Sequence, residues 1–198
     1  MAIKLASIFF TMILVDNYVL AKFLGICPFL GVSKKLDSAV GMSLAVTLVM
    51  VMATAATWPL YMGILAPNGL EYLQTIVFIL VIAILVQLLE NFLKKFIPAL
   101  YKSLGVYLPL ITTNCTILGV TILNLDNGYS FPESIVCAAG AGIGFLVAMV
   151  LFSGVRRKVE QAIVPECFKG LPITLVAAAM TSLSFMGFGG IVEAIFGV

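Results

Sequence analysis

Leu24-Gly25-Ile26-Cys27-Pro28-Phe29-Leu30-Gly31-Val32 is echoed further along the chain by Thr112-Thr113-Asn114-Cys115-Thr116-Ile117-Leu118-Gly119-Val120. Aligned on their cysteines, both stretches read Cys-x-x-Leu-Gly-Val. Each lies in an apolar segment that is interrupted by glycine and by a proline, Pro28 in the first and Pro109 in the second. We interpret the two stretches as copies of one structural element that places two thiols at a shared site.

The composition indicates an integral membrane protein. The chain has 198 residues, of which 62% are hydrophobic and only 10% are charged, and its mean hydropathy is +1.19. A soluble domain carries about 25% charged residues. The apolar runs are about 20 residues long, which suits membrane-spanning helices and not the roughly ten-residue alternating strands of a barrel. They leave no room for a soluble nucleotide-binding or flavin-binding domain.

Six apolar spans can be read along the chain, and together they predict an all-α integral membrane protein with one membrane domain over 1–198. The spans cover 3–24, 38–65, 72–93, 103–123, 132–154 and 171–196. Every lysine and arginine except Lys4 falls in the first, third or fifth connection or, in the case of Lys22, at the end of the span that leads into the first connection. This positive-inside pattern predicts that loops 1, 3 and 5 are cytoplasmic and that both termini are outside. Clustered charge of this kind indicates membrane topology, not nucleic-acid binding.

The two cysteine motifs divide the spans into two groups of three. Because three is odd, the second group would enter the membrane in the opposite sense, which predicts inverted repeats over 1–98 and 99–198. Pro28 and Pro109 disturb helical geometry near each motif, so we expect the first and fourth helices to be broken. A membrane tolerates such breaks only where protein covers the freed backbone.

The cysteines are candidate metal ligands. The chain has four Cys and no His, and no two cysteines are close enough for a zinc-finger or ferredoxin-type run. Cys27 and Cys115 would meet at the pseudo-two-fold axis, where they could supply two of the four thiolates that hold an iron–sulfur cluster. A second chain of the same kind would then supply the others. The alternative is that these cysteines are small packing residues, which is our interpretation of Cys137, while Cys167 lies in a charged loop and is taken as incidental.

Polar residues inside the apolar spans are further candidates. Asp16 and Asn17 lie within the first span, and an intramembrane carboxylate is a functional candidate by default. The alternative is that Asp16 pairs with Lys22 or caps a helix fragment. Thr113 and Asn114 precede the second motif cysteine. They could bond freed backbone groups, or they could support a metal site through hydrogen bonds.

Three stretches carry a resemblance to a known family: Leu24-Gly-Ile-Cys-Pro-Phe-Leu-Gly-Val-Ser-Lys-Lys-Leu36, Leu108-Pro-Leu-Ile-Thr-Thr-Asn-Cys-Thr-Ile-Leu-Gly-Val120 and Leu183-Ser-Phe-Met-Gly-Phe-Gly-Gly190. The chain resembles the family of A-type subunits of Rnf complexes along its whole length. The corresponding membrane proteins of the sodium-pumping NADH:quinone reductase are the nearest other branch, and Pro28 and Gly31 favour the Rnf branch.

The resemblance implies a membrane electron-transfer subunit of an ion-translocating ferredoxin:NAD oxidoreductase, with Na+ or H+ as the pumped ion. It implies a [2Fe-2S] cluster within the bilayer, shared with a homologous six-helix subunit of the E type. Each of the two would give two cysteines, and the matching positions here are Cys27 and Cys115. The other partners would be subunits of the B, C, D and G types in the bacterial cytoplasmic (inner) membrane, and this chain alone would hold no complete active site.

A second function of a different class also fits the repeats. Inverted repeats with broken helices are typical of secondary ion or solute transporters as well. In that case the cysteines would be packing residues, and Asp16 with Asn114 would line a substrate or ion site. Only the redox function requires iron and a homologous partner.

Overall fold

The computed structural model describes residues 2–33, 36–96, 111–162 and 164–187, and the regular structure of this part is helical, with no strand. The main helices are α1 Ala2–Leu14, α2 Ile26–Val32, α3 Leu36–Leu60, α4 Gln74–Phe96, α5 Cys115–Asp126, α6 Phe131–Glu160 and α7 Leu171–Met186. A π-helical turn, Tyr61–Leu65, continues α3 into Ala66–Asn68, and 3₁₀ turns at Glu71–Leu73 and Glu166–Phe168 precede α4 and α7. The predicted features at 34–35, 97–110 and 188–198, Pro109 among them, lie outside the described residues.

Three helices of the described part are long and apolar enough to cross a membrane: Leu36–Asn68, Glu71–Phe92 and Phe131–Glu160. They coincide with the second, third and fifth predicted spans. Shorter apolar helices stand at the other three positions, at Lys4–Leu14, Cys115–Asp126 and Leu171–Met186. The prediction of an all-α structure is therefore confirmed for the described residues, and the three long helices are consistent with a membrane protein. The six-helix inverted repeat, its division at 98/99 and the sidedness of the loops stay predictions.

The predicted break in the first apolar segment is present. Helix α1 ends at Leu14, the chain passes through turns, and α2 begins only at Ile26. A second break precedes α5, where Thr113 lies in a turn and Asn114 is extended. Both motif cysteines thus stand at the start of a new helix, directly after irregular backbone.

Helix α6 forms the centre of the bundle. In the apolar stretch of this helix 56% is buried within the chain, against 17% in the apolar stretch of Glu71–Phe92. Helix α4 therefore lies at the periphery of the chain. A Cβ at Gly140 would lie 3.1 Å from the Phe9 carbonyl oxygen, and one at Gly144 would lie 2.9 Å from that of Met12. The small residues one turn apart thus let α1 approach α6 closely.

Local sequence fixes where α6 begins. Ser130 and Glu133 form a capping box, in which the Ser130 N–H donates to Oε2 of Glu133 at 3.0 Å. Just before it, the carbonyl of Tyr129 accepts a hydrogen bond from Nε1 of Trp58 at 3.1 Å. This bond ties the start of α6 to α3, so the register of the central helix against its neighbours is set at this end.

Candidate metal centre

Asn17 organises the turn that leads into the first motif. Its Oδ1 accepts from the N–H groups of Val19 at 3.1 Å and Leu20 at 3.4 Å, which caps the turn after α1. Its Nδ2 donates to the carbonyl of Gly144 at 2.8 Å. The same Nδ2 also donates to the carbonyl of Ile13 at 3.4 Å. Asn17 is 1% exposed, so one buried amide satisfies four backbone groups and anchors this turn to α6.

Gly25 joins the two motifs. It precedes α2 with φ +79°, a left-handed conformation that side chains disfavour. Its N–H donates to Sγ of Cys115 at 2.9 Å. A Cβ on Gly25 would overlap Oγ1 of Thr116 and would lie 3.1 Å from Cε2 of Phe145. Both the backbone angle and the close approach therefore require glycine at this position.

The second motif begins α5 in a well-defined way. Asn114 is its N-cap residue, and Oδ1 accepts from the N–H of Thr116 at 3.1 Å. Cys115 is the first residue of this 12-residue helix. One turn later, a Cβ on Gly119 would lie 2.6 Å from Cδ1 of Leu24. The motifs therefore touch at two points, Gly25 with Cys115 and Leu24 with Gly119.

The two motif cysteines are exposed on the surface of the chain. Cys27 is the second residue of α2 and Cys115 the first residue of α5, and both are free thiols with exposed side chains. The two motifs are in contact, as the repeat predicts. That these thiols bind a metal stays a prediction.

Polar groups without partners lie next to this contact. Nδ2 of Asn114 and Oγ1 of Thr116 are buried and have no hydrogen-bond partner among the described residues. A buried polar group that lacks a partner is costly, and native structures contain few of them. Thr116 was missed by the sequence analysis, although it follows the second cysteine directly. Thr113 is exposed at the break before α5.

Asp16 lies at the edge of this region. It is half-buried, and its N–H donates to the Thr11 carbonyl at 2.9 Å. Among the described residues no ion pair joins Asp16 to Lys22. Instead, Nζ of Lys22 lies 5.1 Å from the centre of the Tyr18 ring. Asn17, and not Asp16, caps the turn at this break.

The other cysteines lie away from the motifs. Cys137 is fully buried in α6, and its Sγ lies 3.9 Å from the Tyr18 hydroxyl, as expected of a packing residue. Cys167 is exposed in the turn Glu166–Phe168. Within 2–33, 36–96, 111–162 and 164–187, no three His, Cys, Asp or Glu side chains come together to hold a metal.

The donor set fits half of a thiolate-ligated centre. Two exposed thiols, those of Cys27 and Cys115, lie on motifs that are in contact. The Gly25 N–H donates to one of the sulfurs, and the residues on either side of Cys115 carry polar atoms without partners. An iron–sulfur centre normally takes four thiolates, so the prediction of such a centre requires two further ligands from another chain.

Sequence reasoning also missed the contact that holds α2 from the other side. Nη1 of Arg156 donates to the carbonyl of Leu30 and to Oγ of Ser33. The sequence analysis used Arg156 only as a topology charge. A contact between residues so far apart in the chain leaves no local pattern, and the four-residue spacing to Phe152 is the one available hint.

Comparison with known proteins relates the sequence of this chain to a family. The family described as Rnf-Nqr subunit, membrane protein, matches residues 5–192. The A subunit of the ion-translocating oxidoreductase complex of Syntrophotalea carbinolica is 54% identical over 180 residues, which cover 91% of this chain and 93% of the relative. The A subunit of the Na(+)-translocating ferredoxin:NAD(+) oxidoreductase complex of Acetobacterium woodii is 53% identical over 186 residues, 94% of this chain and 97% of the relative.

A third relative, the A subunit of the ion-translocating oxidoreductase complex of Aliivibrio salmonicida, is 51% identical over 181 residues, 91% of this chain and 94% of the relative. The family match extends through both cysteine motifs and the helices between them. The chain belongs to the Rnf-Nqr subunit family of membrane proteins.

Proposed function

We propose that this chain is the A subunit of an ion-translocating ferredoxin:NAD oxidoreductase complex. The observation that carries this function is the identity of 53% with a relative of that name over 94% of the chain. The chain is one membrane component of a translocase built from several different chains. The relatives' names favour this redox function over the secondary transporter, which the repeated motifs alone leave open.

We propose further that Cys27 and Cys115 supply half of the ligands of an intramembrane [2Fe-2S] cluster. Three observations support this assignment: the motifs touch, both thiols are exposed, and each cysteine lies at the start of a helix. A homologous six-helix subunit of the E type would complete the site. When bound, the cluster would accept one electron and pass it on. The complex would lie in the bacterial cytoplasmic membrane with subunits of the B, C, D and G types.

The residues around the thiols have distinct tasks in such a site. The Gly25 N–H donates to Sγ of Cys115, and hydrogen bonds to ligating sulfurs stabilise negative charge and tune the reduction potential. Cys115 also begins α5, where the positive end of the helix dipole would offset the negative charge of a bound cluster. The unpartnered Nδ2 of Asn114 is a further donor beside it.

The coupling of electrons to ions has a physical basis in the surroundings of the thiols. A change of charge in a medium of low dielectric is costly unless a compensating charge or a conformational change accompanies it. Asp16 is the half-buried carboxylate that follows α1, so it is a candidate for the ion pathway. Asn17 holds the adjoining turn in place.

The experiment compares cysteine variants in the assembled complex. The full complex would be purified with Cys27→Ala, Cys115→Ala or the exposed control Cys167→Ala, and its clusters would be recorded by EPR after reduction. We expect the same single [2Fe-2S] signal to disappear in both motif variants and to persist in the control. Survival of every cluster signal in both motif variants, with all subunits present, would overturn the metal assignment.

A further inference from the structure

Two side chains of α6 contact helix α2, which carries the first motif cysteine. The ring of Phe29 stacks on that of Phe152, with centroids 4.1 Å apart and planes at 23°. One turn further along α6, Nη1 of Arg156 donates to the carbonyl of Leu30 and, at 2.9 Å, to Oγ of Ser33. Since residues four apart share a helix face, both contacts act on α2 from the same side.

These contacts with α6 matter for the stability of α2 because α2 is short. It has 7 residues, and helices below about 12 residues are marginal without tertiary contacts. Its last carbonyls have no partner within the helix. Arg156 supplies a donor to one of them and a positive charge to the negative end of the helix dipole.

The guanidinium is largely buried and also forms an ion pair, although its Nε makes no hydrogen bond among the described residues. The Arg156 side chain is 11% exposed, and its Nε lies 3.5 Å from Oε1 of Glu160 in an i,i+4 pair. A planar fork that is oriented in this way loses little further freedom when it binds a carbonyl. Arg157, its neighbour, is exposed and provides a natural comparison.

The opposite end of α2 adjoins the second motif. Gly25, its N-cap residue, bonds Sγ of Cys115, so α2 is fixed at one end by α5 and at the other by α6. A helix of seven residues is about 10 Å long, and release at one end changes the placement of the whole segment. Cys27 lies between these two anchors.

We propose that Arg156 is a positioning residue for the metal centre: by holding the C-terminal end of α2, it keeps the Cys27 thiol in place relative to Cys115. The inference rests on the proposed function for its metal and deepens it by adding a residue outside both motifs. Phe152 supplies the apolar half of the same contact.

The first measurement follows α2 itself and needs no metal signal. Hydrogen–deuterium exchange of the α2 amides would be measured in the full complex with Arg156→Gln, Arg156→Lys or the control Arg157→Gln. We expect exchange to rise about tenfold or more in Arg156→Gln, because a hydrogen bond from a charged donor is worth about that factor. We expect a smaller rise in Arg156→Lys and none in the control. Unchanged exchange in Arg156→Gln overturns the inference.

The second measurement separates a positioning role from a merely structural one. The [2Fe-2S] EPR signal and its midpoint potential would be recorded for the same complexes. We expect altered g values in Arg156→Gln, a partial return in Arg156→Lys and no change in Arg157→Gln. Unaltered g values despite faster exchange overturn the positioning role. The positioning role is also overturned if Arg156→Gln shifts the midpoint potential without changing the g values while Arg156→Lys behaves like wild type. The positive charge at this position would then explain the effect without any positioning of Cys27.

Two further variants keep these outcomes interpretable. If Arg156→Gln does not assemble, Ser33→Ala removes one acceptor of the same guanidinium, and it is expected to raise α2 exchange and change the g values to a lesser degree. If Ser33→Ala changes neither the exchange of α2 nor the g values, the inference is overturned. Survival of every cluster signal in both Cys27→Ala and Cys115→Ala overturns the proposed metal assignment separately. The exchange data still decide whether Arg156 holds α2.

Discussion

Replacement of Gly25 by alanine tests the contact between the two motifs. The residue has φ +79°, and an L-residue in the left-handed region costs about 1–2 kcal/mol. The new Cβ would also overlap Oγ1 of Thr116, with Phe145 at 3.1 Å and Asn114 at 3.3 Å leaving little room for escape. Overpacking of this kind costs about 1–3 kcal/mol. Together the two effects amount to a loss of about 2–5 kcal/mol.

The assay is unfolding of the full chain in mixed micelles by titration with SDS, followed by the fluorescence of the single tryptophan. Trp58 reports on the native fold because its Nε1 donates to the Tyr129 carbonyl and its ring packs edge-on against Phe131. Gly128→Ala is the matched control. Gly128 has φ +64°, and among the described residues nothing lies within 4 Å of the place where a Cβ would stand. It therefore isolates the backbone cost of about 1–2 kcal/mol.

The double variant Gly25→Ala/Thr116→Ala separates the two effects in the test residue. It removes the hydroxyl that the new methyl group would strike, so we expect it to recover part of the overpacking cost but not the backbone cost. A loss for Gly25→Ala no greater than that for Gly128→Ala would refute the reasoning. The motifs would then not be packed as closely as the structure shows.

Three further substitutions use the same titration. Asn17→Ala removes the buried amide that bonds Gly144 and caps the turn after α1, so we expect a loss of about 1–3 kcal/mol, whereas alanine at the exposed Asn127 should have little effect. Gly142→Ala places a methyl group against Thr47 of α3 and should cost about 1–3 kcal/mol, while Gly154→Ala, with nothing in the described part of the chain within 4 Å, should be neutral or stabilising. Phe152→Leu removes the stacked ring beside Phe29 and should cost about 0.5–1.5 kcal/mol, and a neutral result would mean that the ring contact does not hold α2.

Sequence patterns predicted the helices well because membrane helices need long apolar runs. The spans expected at 38–65, 72–93 and 132–154 match Leu36–Asn68, Glu71–Phe92 and Phe131–Glu160 closely. The first span was predicted at 3–24, yet α1 ends at Leu14. Hydropathy does not detect this end, since Val19 and Leu20 remain apolar in the turn; the side chain of Asn17 determines it by capping their N–H groups.

The candidate site was predictable to the level of its motifs. The repeat predicted that Cys27 and Cys115 belong to neighbouring elements, and Gly25 does bond Sγ of Cys115. The repeat did not predict which atoms would touch. Gly25 and Arg156 act through backbone geometry and through a contact across the fold, and neither effect leaves a periodic or compositional pattern in one sequence.

Under the proposed function, the exposure of the two thiols links metal binding to assembly. An ionised thiolate that faces an apolar medium is costly, and Cys27 and Cys115 are both exposed on this chain. The Gly25 N–H donates to the sulfur of Cys115 at the start of α5, but it does not cover the thiol. A homologous partner that brings two more thiols would supply both the missing ligands and the missing cover. The same surface would therefore serve as protein interface and as metal site, and neither would be complete without the other.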